Sequence, residues 1–484
     1  MIEIEPVAKR YAWGSQDRLQ RLFRLPAQGG PLAEMWFSGH AGSPSALRLG
    51  GSAKPGSPAL PLDEAIRRDP ERMVGATSSR LFGPVLPYLF KVISARIPLS
   101  LQVHPVGFEA RAGYHREQAA GIPADAPERS FRDMLAKHEM VVALEPFEAA
   151  VGFMPPQMAA RALAPLRGIA PADRMLAALA GMLGPDAVVA DALMPDAAIA
   201  WPESGKRLFR AFHAAIGARP EEIGDLPAAL RRARTDMERD ASPGRSGDLG
   251  EDDAMQPVRA LANACAAADA FPGDPSVLAL LLMNPVRLEE GDAVFIPAGQ
   301  PHVYLHGTAA EIMTNSDNVL RAGMTVKHRD VTNLLHSLDC RPSAPIDPRS
   351  SRFGAVAAPG LVTYRPNLGE YMLAYGHVGP DGEEPWPMVR RFMARHAGMV
   401  PQLDLPRLAL PRLAMPNLGL PQHGPRVLLC CAGRVRCSDA TGTRVLEQGQ
   451  AVFVPAGDGR LRIGADAGPD GSVNGTYLFA STPF

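Results

Sequence analysis

The stretch GDAVFIPAGQPHVYL, Gly291 to Leu305, decides how the rest of the chain is read. Gly291-Asp292 makes a tight turn into a short apolar strand, Pro297 and Gly299 break that strand, and His302 opens the next one. Strand side chains alternate, so His302 and Tyr304 share one face and Val303 and Leu305 the other. The predicted product is a hairpin that aims an imidazole into the mouth of a barrel. A second copy follows, since EEGDAVFIPAG (289–299) and EQGQAVFVPAG (447–457) agree at eight of eleven positions. A repeated strand–turn unit predicts two β-domains. The second copy has Gln450 for Asp292 and Arg460 for His302, so the second barrel is expected to hold no metal there.

Working outward, PLSLQVHP alternates as a strand does, with Leu99, Leu101 and Val103 on one face and Ser100, Gln102 and His104 on the other. MVVAL, Met140 to Leu144, reads as a buried strand, and residues 1–150 show little helical periodicity. After Phe153, Ala and Leu dominate to about 270. There Met175, Leu176, Leu179, Met182 and Leu183 predict a helix opened by Pro171 and closed by Gly184-Pro185, and Leu208, Phe212 and Ile216 predict another. Strand texture returns from about 277. A chain of 484 residues predicts about three units at roughly 150 residues each. The expected division is 1–153 plus 277–340 as the metal-bearing barrel, 154–276 as a helical insertion, and 341–484 as a second barrel. DASPGRSGDLGEDDA (240–254) reads as a loop, and LDLPRLALPRLAMPNLGLP (403–421) as an extended, proline-punctuated connector.

Composition narrows the function. Lys plus Arg is 50 against 51 for Asp plus Glu, a net charge of −1, which argues against a nucleic-acid-coating protein but leaves room for a local basic pocket. No apolar run approaches the ~18–20 residues of a membrane span. The opening MIEIEPVAKR has no apolar core of a secretory leader. Five cysteines (Cys265, Cys340, Cys430, Cys431 and Cys437) show no paired metal-ligand spacing and predict no disulfide framework. A reduced, cytoplasmic protein is expected.

A metal needs more than one ligand. Gln102 and His104 project from one strand face, Glu139 precedes the MVVAL strand, and His302 completes two nitrogen and two oxygen donors. Alone, each has a plainer reading: a surface imidazole, a solvated amide, a solvated carboxylate. Together with the hairpin the four outweigh it and suit Zn²⁺ in an open site, though Fe²⁺ or Mn²⁺ would also be accepted. Downstream, EIMTNSDNVLRAGMTVKHRDVTNLL (311–335) is dense in polar groups. Arg329 and Asp330 read as the start of a solvated helix, but Arg321 and Lys327 lie in a glycine-containing loop and could hold a phosphate.

The hairpin signature resembles the second motif of cupins, small jelly-roll barrels that bind a metal. YAWGS (11–15), AEMWFSGHAGSPS (33–45), PYLFKVISARIPLSLQVHP (87–105), KHEMVVALEPFEAAVGF (137–153) and 291–331 together resemble the type I mannose-6-phosphate isomerases. The resemblance covers 1–153 and 280–340 closely and the C-terminal part loosely. It implies a mainly β fold of two cupin-type jelly-roll barrels with an inserted α-helical domain. It also implies one Zn²⁺ per chain on Gln102, His104, Glu139 and His302. The implied activity is aldose–ketose isomerisation of mannose 6-phosphate and fructose 6-phosphate through a cis-enediol, by a monomer. Glu311, expected on a neighbouring strand, is the candidate base, with a carboxylate that merely orients Arg321 as its rival reading. Asp317 and Arg321 are placed beside the sugar, Lys137 and Lys327 at phosphate or hydroxyls, Tyr304 and Ser100 on the pocket wall, and Trp13 beneath it. Two departures stand out: His138 where the family has proline, and Val106 where it commonly has aspartate. Another metal-dependent cupin enzyme and a non-catalytic sugar-binding bicupin are the alternatives. Neither explains a full ligand set beside the Asp317–Arg321–Lys327 cluster.

Overall fold

The computed structural model describes residues 1–26, 29–48, 59–240, 251–349, 360–380, 387–388, 391, 420–468, 471 and 473–484. The 403–421 connector lies outside these residues up to 419, and the 240–254 loop lies outside them from 241 to 250.

The protein is mainly β, with two antiparallel sheets and a set of helices. The first sheet is built on one long strand, His302–Thr314. Its first half pairs with Phe147–Phe153 and meets Leu101–Val103 at His302, and its second half pairs with Tyr88–Ala95 and Glu139–Ala143. Gly307 lies where the partners change, at φ 114°, and a Cβ there would stand 2.3 Å from the Pro146 carbonyl oxygen. Only glycine meets both demands. The sheet folds back on itself around Ile93, Val141, Phe147, Ala149, Val151, Tyr304 and Ala309. The second sheet turns the same way along Arg426–Asp439, with Gly433 at φ 63° and the Asn474 carbonyl 2.0 Å from where its Cβ would be.

The two sheets pack back to back through Phe37, Tyr88, Phe90, Val427, Phe453 and Leu478, and the Tyr88 hydroxyl reaches the Pro425 carbonyl oxygen at 3.0 Å. The helices between Pro156 and Ala270 cover the outer face of the first sheet. Leu101, Val103, Val303 and Leu305 face that helical core together with Phe153, Phe212 and Leu261. The alternation read from both strands is therefore real, since their apolar faces are spent on the helices and their polar faces are left for the barrel interior.

Some elements differ from the reading. Ile2–Glu5 pairs with Ala451–Val454 and with Ala46–Arg48, so parts of the first 61 residues extend the second sheet. A helix, Gly107–Ala119, lies in the region read as non-helical. Its buried positions are Ala110, Gly113 and Glu117, which leave no apolar stripe to read. The helix expected to run to Leu183 is Ala170–Leu179, and Met182 and Leu183 are exposed because Gly181, at φ 81°, ends it. Glu203–Ile216 buries Leu208, Phe212 and Ile216 as predicted. All five cysteines are buried and free, and no helix among the described residues is long and apolar enough to cross a membrane.

Candidate metal centre

Cross-strand register assembles the site. His302 stands opposite Gln102, and Gln102 stands opposite Arg321 on Leu320–Gly323, so the three form a row across adjacent strands. Glu139 begins its strand on the facing wall. One donor atom each of His104, Glu139 and His302 lies within 4.8 Å of the others, and all three residues are buried. His104 Nε2 is 2.9 Å from Glu139 Oε1, and His302 Nε2 is 3.3 Å from Glu139 Oε2.

The second partners of these rings decide their chemistry. His104 Nδ1 is 2.7 Å from the Asn318 carbonyl oxygen, and His302 Nδ1 is 3.2 Å from that of Gln300. A carbonyl can only accept, so each Nδ1 carries a proton, and on a neutral ring Nε2 then presents a lone pair. Burial, then the Lys137 charge, pushes the His104 pKa down to about 3, so that ring is neutral. Burial pushes the Glu139 carboxyl up, but Lys137 and the imidazoles outweigh it and hold it well below the carboxylate range. The His104 lone pair thus faces a carboxylate, and His104 Nε2 is buried without a hydrogen-bond partner. That arrangement is repulsive until a cation sits in it, and two neutral imidazoles with a carboxylate are a zinc donor set. Gln102 donates its Nε2 to Ser100 Oγ at 2.9 Å, which leaves the amide oxygen as the end free for a cation.

A second cluster adjoins the first. The Tyr304 hydroxyl donates to Glu311 Oε1 at 2.7 Å and lies 3.2 Å from Glu139 Oε2. Lys137 Nζ is 3.0 Å from Glu139 Oε1. Lys91 Nζ donates to Glu34 Oε1 at 2.8 Å and lies 2.7 Å from Glu311 Oε2. Burial raises the Glu311 carboxyl; Lys91 lowers it and Glu139 raises it again, leaving a net rise. Glu311 lies on the same strand as His302, not a neighbouring one, and its contacts are Tyr304 and Lys91, not Arg321.

At the mouth, burial and the nearby Arg132 push the Arg321 guanidinium down, and burial, Arg321 and Arg132 push the Lys327 ammonium down. Among the described residues neither Arg321 nor Lys327 forms an ion pair. Lys327 lies 5.4 Å over the Tyr11 ring, which stacks on Trp13 at 5.5 Å. Trp13 in turn packs against the barrel core. Asp317 Oδ2 is 3.2 Å from His40 Nε2, and its backbone N–H is held by Asp133. His138 turns away from the centre, accepting the Ala298 N–H at Nδ1 and stacking on Phe295, so it adds no imidazole to the metal. Val106 occupies the N-cap of Gly107–Ala119 without a side-chain cap.

The sequence reading missed Lys91, Glu34, Arg132, Tyr11, His40 and the Asn318 carbonyl. Lys91 carried a signal, being the one charge in the buried run YLFKVISA.

Comparison with known proteins fits this geometry. A family model described as "Phosphomannose isomerase type I, catalytic domain" matches residues 1–156. Mannose-6-phosphate isomerase of Salmonella typhimurium is 32% identical over 335 residues, covering 69% of this chain and 73% of its own. This chain belongs to the type I phosphomannose isomerase family. The Escherichia coli member is 33% identical over 328 residues, 68% of this chain and 72% of its own. A zinc-bound mannose 6-phosphate isomerase structure superposes with TM-score 0.70 at 25% identity, covering 100% of this chain and 99% of that one. The Salmonella typhimurium enzyme bound to fructose 6-phosphate and zinc shares the fold, with TM-score 0.70 at 24% identity and full coverage of both chains.

Proposed function

We infer that this protein interconverts mannose 6-phosphate and fructose 6-phosphate and depends on zinc. The observation that carries the reading is the pair of imidazoles, each fixed through Nδ1 by a backbone carbonyl, with both Nε2 atoms facing the Glu139 carboxylate. His104, Glu139, His302 and Gln102 hold the ion. Bound zinc supplies Lewis acidity to the sugar oxygens at C1 and C2.

The chain's own residues do the rest. Glu311 is the base that moves the proton between C2 and C1, and Tyr304 holds its other oxygen. Lys137 keeps Glu139 ionised and lies within reach of a substrate hydroxyl. Arg321 and Lys327, unpaired and mutually repelling with Arg132, take the phosphate dianion. Asp317 sits beside the sugar and serves ring opening. Ser100 orients Gln102, and Trp13 supports the Tyr11 wall. The two folded-back sheets correspond to two cupin-type jelly rolls, the catalytic unit being 1–153 with 277–340, the insertion 154–276 and the metal-free barrel 341–484, which also takes the strands Ile2–Glu5, Ala46–Arg48 and Ala59–Pro61 from the first segment. A cytoplasmic monomer acting on small sugar phosphates completes the reading, and the net charge of −1 speaks against a nucleic-acid partner.

Glu139→Ala tests the assignment. It is expected to lose stoichiometric zinc and isomerase activity together while the fold survives. Full turnover with zinc still bound would overturn it.

A further inference from the structure

Lys91 lies between two buried carboxylates that share its ammonium. Its ammonium makes a hydrogen bond to Glu34 Oε1 at 2.8 Å. Glu311 Oε2 lies as close, at 2.7 Å, on the other side of the same ammonium. Glu34 is itself fixed, with its second oxygen accepting the Trp36 indole N–H at 2.9 Å. Trp36 is held from its face by Lys9, whose ammonium lies 4.6 Å from the ring centroid and donates to Ser43. Cross-strand register locks the arrangement, since Lys91 stands opposite both Trp36 and Glu311. Glu34 is 5% exposed and Glu311 1%, so neither carboxylate has water to replace a lost donor.

We propose that Glu34 is a positioning residue for the isomerisation: by holding the Lys91 ammonium from its other side, it keeps that cation from belonging to Glu311 alone and so leaves the Glu311 carboxylate able to accept the substrate proton. The inference rests on Glu311 being the base. In the step it serves, the C–H bond at C2 breaks, the proton joins Glu311, the electron pair becomes the C1–C2 double bond, and the C1=O π pair moves onto O1, which takes the proton that the C2 hydroxyl gives up as C2=O forms. Return of the Glu311 proton to C1 completes the exchange, so no external oxidant or reductant is needed.

A carboxylate satisfied by two strong donors is a poor base, and one whose donor is shared with another carboxylate is a better one. The groups that face Glu311 are Lys91 and, beyond it, Glu34 on the adjoining strands, Tyr304 on its own strand, Glu139 on the other side, and Tyr371 from the second sheet. Of these, Glu34 alone adds negative charge next to Lys91 without touching the proposed metal ligands. Removing its charge gives the whole of Lys91 to Glu311 and makes that carboxyl more acidic.

The test uses zinc-loaded Glu34→Gln protein, with Glu34→Asp as the charge-keeping variant. Glu34→Gln is expected to retain one zinc per chain and a near-normal KM. Its kcat should fall, and the acid limb of its pH–rate profile should move down by about one unit. Glu34→Asp should return the limb toward its original position. If Glu34→Gln does not fold, Trp36→Phe removes the competing indole donor from Glu34 while keeping its charge, strengthens its claim on Lys91, and should move the limb the opposite way, upward, by less. An unmoved limb in the folded variant overturns the inference, provided that Glu311→Gln abolishes turnover. Turnover surviving Glu311→Gln overturns the underlying base assignment instead.

Discussion

Tyr304→Phe isolates the strongest hydrogen bond at the Glu311 carboxylate. The hydroxyl is 2.7 Å from Glu311 Oε1, and Glu311 is 1% exposed, so the substitution strands a buried carboxylate oxygen with no water to replace the donor. A hydrogen bond to a charged group contributes about 1.5–3 kcal/mol, which corresponds to a rise of roughly 1–2 pH units in the Glu311 carboxyl. That carboxyl is already raised by burial. A carboxyl whose pKa is higher in the fold than in the unfolded chain favours the fold fully below its unfolded pKa. It loses that contribution as pH rises through its folded pKa. The cost of Tyr304→Phe should therefore be small near pH 4, where the carboxyl is protonated in both proteins, and grow to about 1.5–3 kcal/mol at pH 8. Urea unfolding of wild type and variant across that range gives the difference directly. In the kinetic profile the acid limb should move upward, opposite to the direction expected for Glu34→Gln. A cost that is the same at every pH would refute the reasoning, because it would mean that the hydroxyl contributes only packing.

Three further outcomes follow from particular residues. Val106→Asp supplies the missing cap of Gly107–Ala119 and should stabilise the protein by about 0.5–2 kcal/mol, read by denaturant melts; no gain would show that the extended Val106 backbone does not act as a cap. Lys327→Ala should raise KM for mannose 6-phosphate with a smaller change in kcat, and an unchanged KM would remove Lys327 from the phosphate site. Metal-free protein should lose stability as pH falls below the imidazole range. His104 is buried neutral with its pKa pushed to about 3, so the unfolded chain takes up a proton that the fold refuses. His104→Gln should flatten that dependence in the same unfolding series, and an unchanged slope would place its origin elsewhere.

The cluster of His104, Glu139 and His302 was legible because these residues obey local rules. Leu101 and Val103 needed an apolar neighbour, which fixed Gln102 on the opposite face, and the Pro297–Gly299 break fixed where His302 emerges. What could not be read depends on contacts distant in the chain. Glu34 matters only because its strand lies beside Tyr88–Ala95, and Asn318 acts through a backbone carbonyl that carries no residue signature. The Gly107–Ala119 helix buries alanine, glycine and a glutamate whose carboxylate accepts the Ser130 and Phe131 backbone N–H groups, so its buried face looks polar in the sequence. His138 adjoins Glu139 in the chain, yet alternation at the start of the Glu139 strand turns it outward onto Phe295. The entry of Ile2–Glu5 into the second sheet has no local cause at all, since the partner strand lies more than 400 residues away.

The most direct measurement is a coupled assay of fructose 6-phosphate formed from mannose 6-phosphate, run before chelation, after chelation and after zinc is returned. The account predicts activity that chelation abolishes and zinc restores at one ion per chain. A folded, zinc-loaded protein that forms no fructose 6-phosphate would contradict it.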